Sequence, residues 1–237
     1  MIAPRFDGAD ALPRSGLPVH AYQDLAEAFA AAKGLRVHWV YVDDFEALIP
    51  SLLAGQGDMI VTNMTVTDAR AERVDFTRAI AQVAEVVIAA KTRKLEAVDD
   101  LAGISVGVPR GSAYQESLAA HDLAASTVLL PSHESAAERL DGVMQGRYDA
   151  TVLDSDIAST LIDEYEALDI HFRLNKHRPI AWAVRPDNPH LLNQLNQFLV
   201  AHHLQSGAAT VALRDWPGIQ NSGRLRMLTV NNPASYF

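Results

Sequence analysis

Between Gly57 and Thr77 the sequence GDMIVTNMTVTDARAERVDFT brings together Thr62, Asn63, Thr65, Thr67 and Arg70. This set suits the capture of a carboxylate. A guanidinium donates two parallel hydrogen bonds to one carboxylate, and hydroxyls and an amide supply neutral partners beside it. Thr67 can cap a short helix, which puts Arg70 in its first turn. The helix dipole opposes a cation there. Arg70 is therefore either a solvated surface residue or a group held in place by a bound anion.

Two further stretches carry polar groups at strand-to-helix junctions. In GISVGVPRGSAYQES, Ser112 follows a buried strand and Gly111 and opens a helix. The free N–H groups of such a turn, with the Ser hydroxyl, make either an anion site or an ordinary capped helix. In GRYDATVLDSDIAS a strand delivers Asp154 to the start of the next helix. Its carboxylate is either an N-cap or the acceptor of a charge-assisted hydrogen bond from an ammonium group.

Other chemistries find less support. There is no cysteine and no G-x-S-x-G elbow, and Ser155 has no defined His partner. Neither His202-His203 nor the pair His171 and His177 has converging carboxylates of the kind a metal site needs. His38 sits on an alternating strand and reads as structural. No cofactor or metal is called for.

Positioning these groups requires a regular alternation of elements. Tyr22, Leu25, Ala26, Phe29 and Ala32 recur at helical spacing up to Gly34, and LRVHWVYV then alternates as a strand does. Asp44 caps FEALIPSLLAG, MIVTNM follows as a strand, and a long apolar strand runs near Val83 to Ala89. Then come ISVGVP, a helix opened by Gly111 and Ser112, TVLLPS, a helix from about His133 to Met144, YDATVL and a helix from about Ser155. HFRLN and PIAWAVRP are further strands, Asn188 and Pro189 start the helix HLLNQLNQFLVAHH, and SGAATVALRDW forms another. Strand and helix in alternation predict mainly parallel sheets covered on both faces, with ligands at the carboxyl ends of the strands.

Composition agrees with an ordered globular chain. Of 237 residues, 49% are hydrophobic and 21% charged, and the net charge of -9 argues against nucleic acid or an anionic membrane as partner. The longest apolar runs are too short to span a bilayer. The opening MIAPRFDGADALPRSG shows no basic region followed by an apolar stretch, so no export signal is visible in this sequence.

Together the three polar stretches resemble the type II, two-lobed periplasmic solute-binding proteins for polar amino acids, known as extracellular solute-binding family 3. The resemblance covers nearly the whole chain. The family pattern D-h-h-x-x-x-h-T-x-T-x-x-R, with h apolar, matches Asp58 through Arg70; V-G-V-x-x-G-S/T matches Val106 through Ser112; and G-x-h-D-A-h-h-x-D matches Gly146 through Asp154. The resemblance implies that Arg70 binds a ligand carboxylate and Asp154 its amino group, with Thr62, Asn63, Thr65 and Ser112 beside them. Phe45, ahead of the A-L-I-P-x-L helix, either packs on the ligand side chain or belongs to the core.

The resemblance further implies an α/β fold of two lobes, each a mainly parallel sheet flanked by helices, joined by two hinge crossings. Residues 1–88 with 184–222 form the first lobe and 89–183 the second, with crossings near Ala89 to Thr92 and Ile180 to Val184. The implied location is the periplasm. The implied partners are a small amino-acid-like ligand and either an ABC permease or further modules of the same polypeptide. The tail RLRMLTVNNPASYF, within 223–237, resembles the first strand and loop of the same fold as found in modules of membrane-bound lytic transglycosylases. It either begins a second module or supplies a first strand for which MIAPRF is short. Two alternatives keep the scaffold: a dehydratase-type enzyme, with Glu116 or Glu134 as candidate acid, and a regulatory module for cell-wall peptides.

Overall fold

The computed structural model describes residues 1–4 and 21–207. After β1 (Ile2–Pro4), the amphipathic helix α1 (Ala21–Ala32) leads to β2 (Val40–Val42). Only the end of LRVHWVYV is a strand. Its partner β1 offers three residues, so strand pairing stops at Ile2↔Val40; before it Leu35, Arg36 and His38 are exposed, while Trp39 is half-buried against the core of the first sheet. A single 3-10 turn, Phe45–Ala47, capped by Asp44, runs into α2 (Leu48–Leu53), β3 (Met59–Ile60), the one-turn helix α3 (Asp68–Ala71) and β4 (Asp75–Phe76).

The chain continues through β5 (Ala81–Ala90), β6 (Val106–Pro109), α4 (Ala113–Ala120), β7 (Thr127–Leu130), α5 (Ala136–Met144), β8 (Ala150–Asp154) and α6 (Ser155–Leu161). Ser135 and Glu138 form a reciprocal capping box at the start of α5, which sets that helix to begin later than His133. The long β9 (Leu168–Ile180), the short β10 (Ala183–Val184) and α7 (Pro189–Gly207) follow. The Asn188 side chain accepts from Leu191 N–H at 3.2 Å, the cap expected at that junction.

Two five-stranded sheets result, ordered β2-β1-β3-β10-β4 and β7-β6-β8-β5-β9. In each, parallel strands form one side, while β10 in the first sheet and β5 in the second run antiparallel to their neighbours. The sheets are therefore mixed rather than mainly parallel. β1 lies between β2 and β3, so the short segment at Ile2 does occupy the first-strand place. The tail at 223–237 and the helix expected over SGAATVALRDW lie outside the described residues, apart from the last turn of α7.

The two crossings lie side by side. β5 is paired within the second sheet from Ala81 to Ala90, so the chain leaves the first sheet after β4 rather than at Ala89 to Thr92 as the sequence suggested. The return lies between Ile180, paired in the second sheet, and Ala183, paired in the first. Ile80 N–H donates to Ile180 O at 2.8 Å and Thr77 N–H to Trp182 O at 2.9 Å, which ties one crossing to the other.

Both sheets are packed on two faces. In β5, Val87 and Ala89 join one cluster with Val106, Val108, Leu118 and Val152, whereas Val86 and Ile88 join another with Leu140, Leu153 and Leu168. The near-continuous apolar run of this strand follows from burial on both sides. In the first sheet Ile60 packs with Leu48 and Leu52, and its neighbours Met59 and Val61 pack with Trp182, Phe29 and Leu195 on the opposite face.

Candidate functional site

The loop after β3 turns its polar groups inward. Thr62, Thr65 and Thr67 are all buried. Thr67 caps α3 by accepting from Arg70 N–H at 3.4 Å, so the helix start falls where its sequence placed it. Thr62 Oγ1 donates to Asn63 Oδ1 at 3.1 Å. Thr65 is fixed through its backbone, which bridges to Ile180 at the second crossing.

Arg70 is not a solvated surface residue. Only 7% of it is exposed. Its Nη1 donates to Thr65 O at 2.8 Å, its Nη2 donates to Gly111 O at 3.0 Å, and its guanidinium carbon stands 5.3 Å above the Phe45 ring. Burial lowers its pKa, and the charges of Glu116 and Asp154 oppose that change. Phe45 packs against the Leu48 cluster and offers its face to the Arg70 guanidinium.

The Gly111 contact joins the two lobes, and others accompany it. Thr67 Oγ1 donates to Glu116 Oε1 at 3.2 Å, and Ser132 Oγ donates to Asp44 Oδ1 at 2.6 Å. Gly111 has φ +69°, and a Cβ built on it would come within 2.5 Å of the Glu46 side chain. The glycine therefore permits both a left-handed turn and close approach of the lobes. Ser112 caps α4 by accepting from Gln115 N–H at 3.3 Å, and Gly111 N–H donates to Gln115 Oε1 at 2.9 Å. These bonds make the turn a capped helix start rather than an array of free N–H groups.

Asp154 behaves otherwise. It occupies the N-cap position of α6 but makes no side-chain cap hydrogen bond. It is 3% exposed, and its Oδ1 is buried with no hydrogen-bond partner. A buried carboxylate oxygen in that state is costly unless a cation or donor completes it. Burial, followed by the charge of Asp156, pushes its pKa up to about 7, against the lowering effect of a hydrogen bond from Tyr114.

Several residues around Asp154 carry no signal in the sequence motifs. Tyr114 accepts from Asp154 N–H at 3.2 Å. Glu85 is fully buried and takes hydrogen bonds from Asn175 Nδ2 at 2.6 Å and Arg178 Nε at 3.0 Å. Its position was legible as a charge interrupting VAEVVIAA, whereas Asn175 and Arg178 on the distant β9 had no such mark. Glu116 accepts from Thr67 Oγ1, while Glu134 pairs with Arg147 at 2.9 Å. Among the described residues no group of three or more His, Cys, Asp or Glu side chains is arranged to hold a metal ion.

Comparison with known proteins places this geometry in context. Residues 21–218 match the family model of bacterial extracellular solute-binding proteins, family 3. The membrane-bound lytic murein transglycosylase F of Desulfosudis oleivorans is 32% identical over 184 residues, covering 76% of this chain and 40% of that protein. The ABC transporter arginine-binding protein 1 of Escherichia coli is 29% identical over 189 residues, 75% of this chain and 74% of that one. Among solved structures, the Gly52Ala mutant of arginine-bound ArgBP from T. maritima aligns with a TM-score of 0.70 at 25% identity, covering 85% of this chain and 94% of the other. An ancestral amino-acid-binding protein described as a precursor of cyclohexadienyl dehydratase aligns with a TM-score of 0.68 at 27% identity, covering 78% and 79%.

Proposed function

The chain belongs to the bacterial extracellular solute-binding proteins, family 3, and from that premise we propose that it is a receptor closing around one free amino acid. Arg70 takes the ligand carboxylate and Asp154 takes its ammonium group. The observation that carries the reading is the unpartnered, buried Oδ1 of Asp154, on the opposite lobe from a buried guanidinium whose cation its charge favours. A zwitterion between them satisfies both at once.

Thr65, Thr62 and Asn63 line the Arg70 side of the ligand, and Phe45 supports the guanidinium from below. Ser112 contributes by fixing the turn that carries Gly111 O rather than by binding directly. Because the two charged groups come from different lobes, their hydrogen bonds to one ligand are complete only when the lobes are closed. Such bonds contribute about 1.5–3 kcal/mol each, so ligand shifts the population toward closure.

The chain spans less than half of the transglycosylase relative and about three quarters of the arginine-binding one. The same binding chemistry serves a receptor delivering its ligand to an ABC permease or a sensing module of a longer envelope protein. A thermal-shift screen of the standard amino acids and of muropeptides tests the reading, since a ligand that binds only the native state raises its melting temperature. Calorimetry on each hit and on its Nα-acetyl derivative then follows. Failure of every free amino acid to bind rejects the proposal, and a response to muropeptides alone favours the envelope module.

A further inference from the structure

Side chains that cross between the lobes are drawn from helix starts. Asp44 follows β2 and Thr67 ends the loop after β3; both strands run parallel to β1, so the two residues stand at one edge of the first sheet. Ser132 follows β7, and Glu116 lies in the first turn of α4, after β6. These neighbouring strands are parallel and end at one edge of the second sheet. The two edges meet through Asp44 with Ser132 and Thr67 with Glu116.

Asp44 Oδ1 accepts from Glu46 N–H at 2.9 Å as the N-cap of its turn, and the same oxygen accepts from Ser132 Oγ at 2.6 Å. Thr67 Oγ1 accepts from Arg70 N–H at 3.4 Å as the N-cap of α3, and donates to Glu116 Oε1 at 3.2 Å. Each cap oxygen holds its own helix start and the other lobe at once. A carboxylate oxygen has room for two donors, and a hydroxyl both donates and accepts. Because the local bond already fixes the side chain, the second bond orders little more, and joining the lobes costs less conformational entropy than it would through free surface side chains.

The place of these two pairs gives them a use. Asp44 directly precedes Phe45, and Thr67 starts the helix that carries Arg70, whose guanidinium carbon lies 5.3 Å over the Phe45 ring. We infer that Asp44 with Ser132 and Thr67 with Glu116 form a two-point closure latch flanking Arg70 and Phe45. The latch acts on the lobes and not on the ligand. It sets affinity for every ligand by a common factor and leaves selectivity to the residues inside the cleft. This rests on the reading of the chain as a receptor that closes, not on which ligand it closes around.

Ser132→Ala removes the donor that crosses and leaves Asp44 on its own cap, whereas Ser132→Thr keeps the hydroxyl. Glu116→Ala removes the acceptor, and Glu116→Gln keeps one while losing the charge that acts on Arg70. Calorimetry compares the standard amino acids on the wild type and the four variants. Each alanine variant should weaken every amino acid that the wild type binds by one common factor, roughly three- to tenfold, so that the ratios of Kd between ligands stay at wild-type values. Ser132→Thr and Glu116→Gln should recover most of the loss. Unchanged affinity, a loss that differs from ligand to ligand, or a loss that the conservative variants do not recover overturns the inference. A wild type that binds none of the amino acids removes the amino-acid reading alone, and the latch is then judged on ligand-free protein. The chain has no cysteine, so Leu53→Cys and Met144→Cys, at exposed positions of the two lobes, take spin labels cleanly. Combining Ser132→Ala with Glu116→Ala should move the distance distribution between the labels, and an unchanged distribution overturns the latch.

Discussion

Glu85 and Asp154 are direct partners across β5 and β8, so two buried carboxylates share one face of the second sheet. Like charges placed opposite one another are destabilising. The structure resolves the conflict unequally: Glu85 is closed by Asn175 and Arg178 from β9, and Asp154 keeps an oxygen with no partner. The open member of the pair is the one a ligand cation can complete.

If Asp154 takes the ligand ammonium as proposed, that asymmetry should make ligand binding depend on pH. The pKa of Asp154 stands at about 7, above its ordinary value. In the empty protein the folded state holds this proton more tightly than the unfolded chain does. The resulting stability is complete below about pH 4, and is lost as the pH rises through the folded-state pKa. An ammonium ligand needs the ionised form, so affinity should climb by nearly tenfold per unit up to about pH 7 and then level off. Asp154→Asn should flatten this dependence and raise the melting temperature of the empty protein at pH 8. Calorimetry and thermal melts across pH 5 to 8 measure both, and an affinity independent of pH would assign the ammonium to another group.

Arg70→Ala should abolish detectable binding of a free amino acid. It should also cost roughly 1–3 kcal/mol of stability, because Thr65 O and Gly111 O lose their donor. Arg70→Lys should recover little affinity, since a single ammonium lacks the planar fork. The three proteins are compared by calorimetry and denaturant unfolding. Retained affinity in Arg70→Ala would remove Arg70 from the site.

Glu85→Ala should be among the most damaging single changes, costing about 3–5 kcal/mol, because it leaves Arg178 without its buried partner. Glu85→Gln should cost less and should lower the Asp154 pKa, since the Glu85 charge is among the causes that raise it. Urea unfolding measures the first effect and carboxyl-carbon NMR the second. A fully stable Glu85→Ala protein would show that the ion pair at the crossing contributes nothing.

Gly111→Ala tests closure. The substitution meets both a left-handed φ and the Glu46 side chain from the other lobe. The backbone strain alone is about 1–2 kcal/mol, and the Glu46 overlap exists only where the lobes touch. Ligand affinity should therefore fall by more than the stability loss explains. Adding Glu46→Ala should restore part of it. Equal affinity in Gly111→Ala and wild type would mean that binding does not require this contact.

The sequence by itself determined the alternation of elements, the Thr67 cap that puts Arg70 in a first helical turn, and the motifs that mark the family. Those features are local, set by periodicity and capping over a few residues, and they survive translation into three dimensions. What tertiary structure decided was pairing between distant segments. Ile2 to Pro4 became a central strand because β2 and β3 flank it. β5 joined the second sheet because β8 and β9 offered partners along its length. Only the fold shows that Asp154 stands at the cap position without a side-chain cap bond while Ile157 N–H donates to Asp156. Burial and hydrogen-bond competition depend on neighbours far away in the chain, and local pattern carries no record of them.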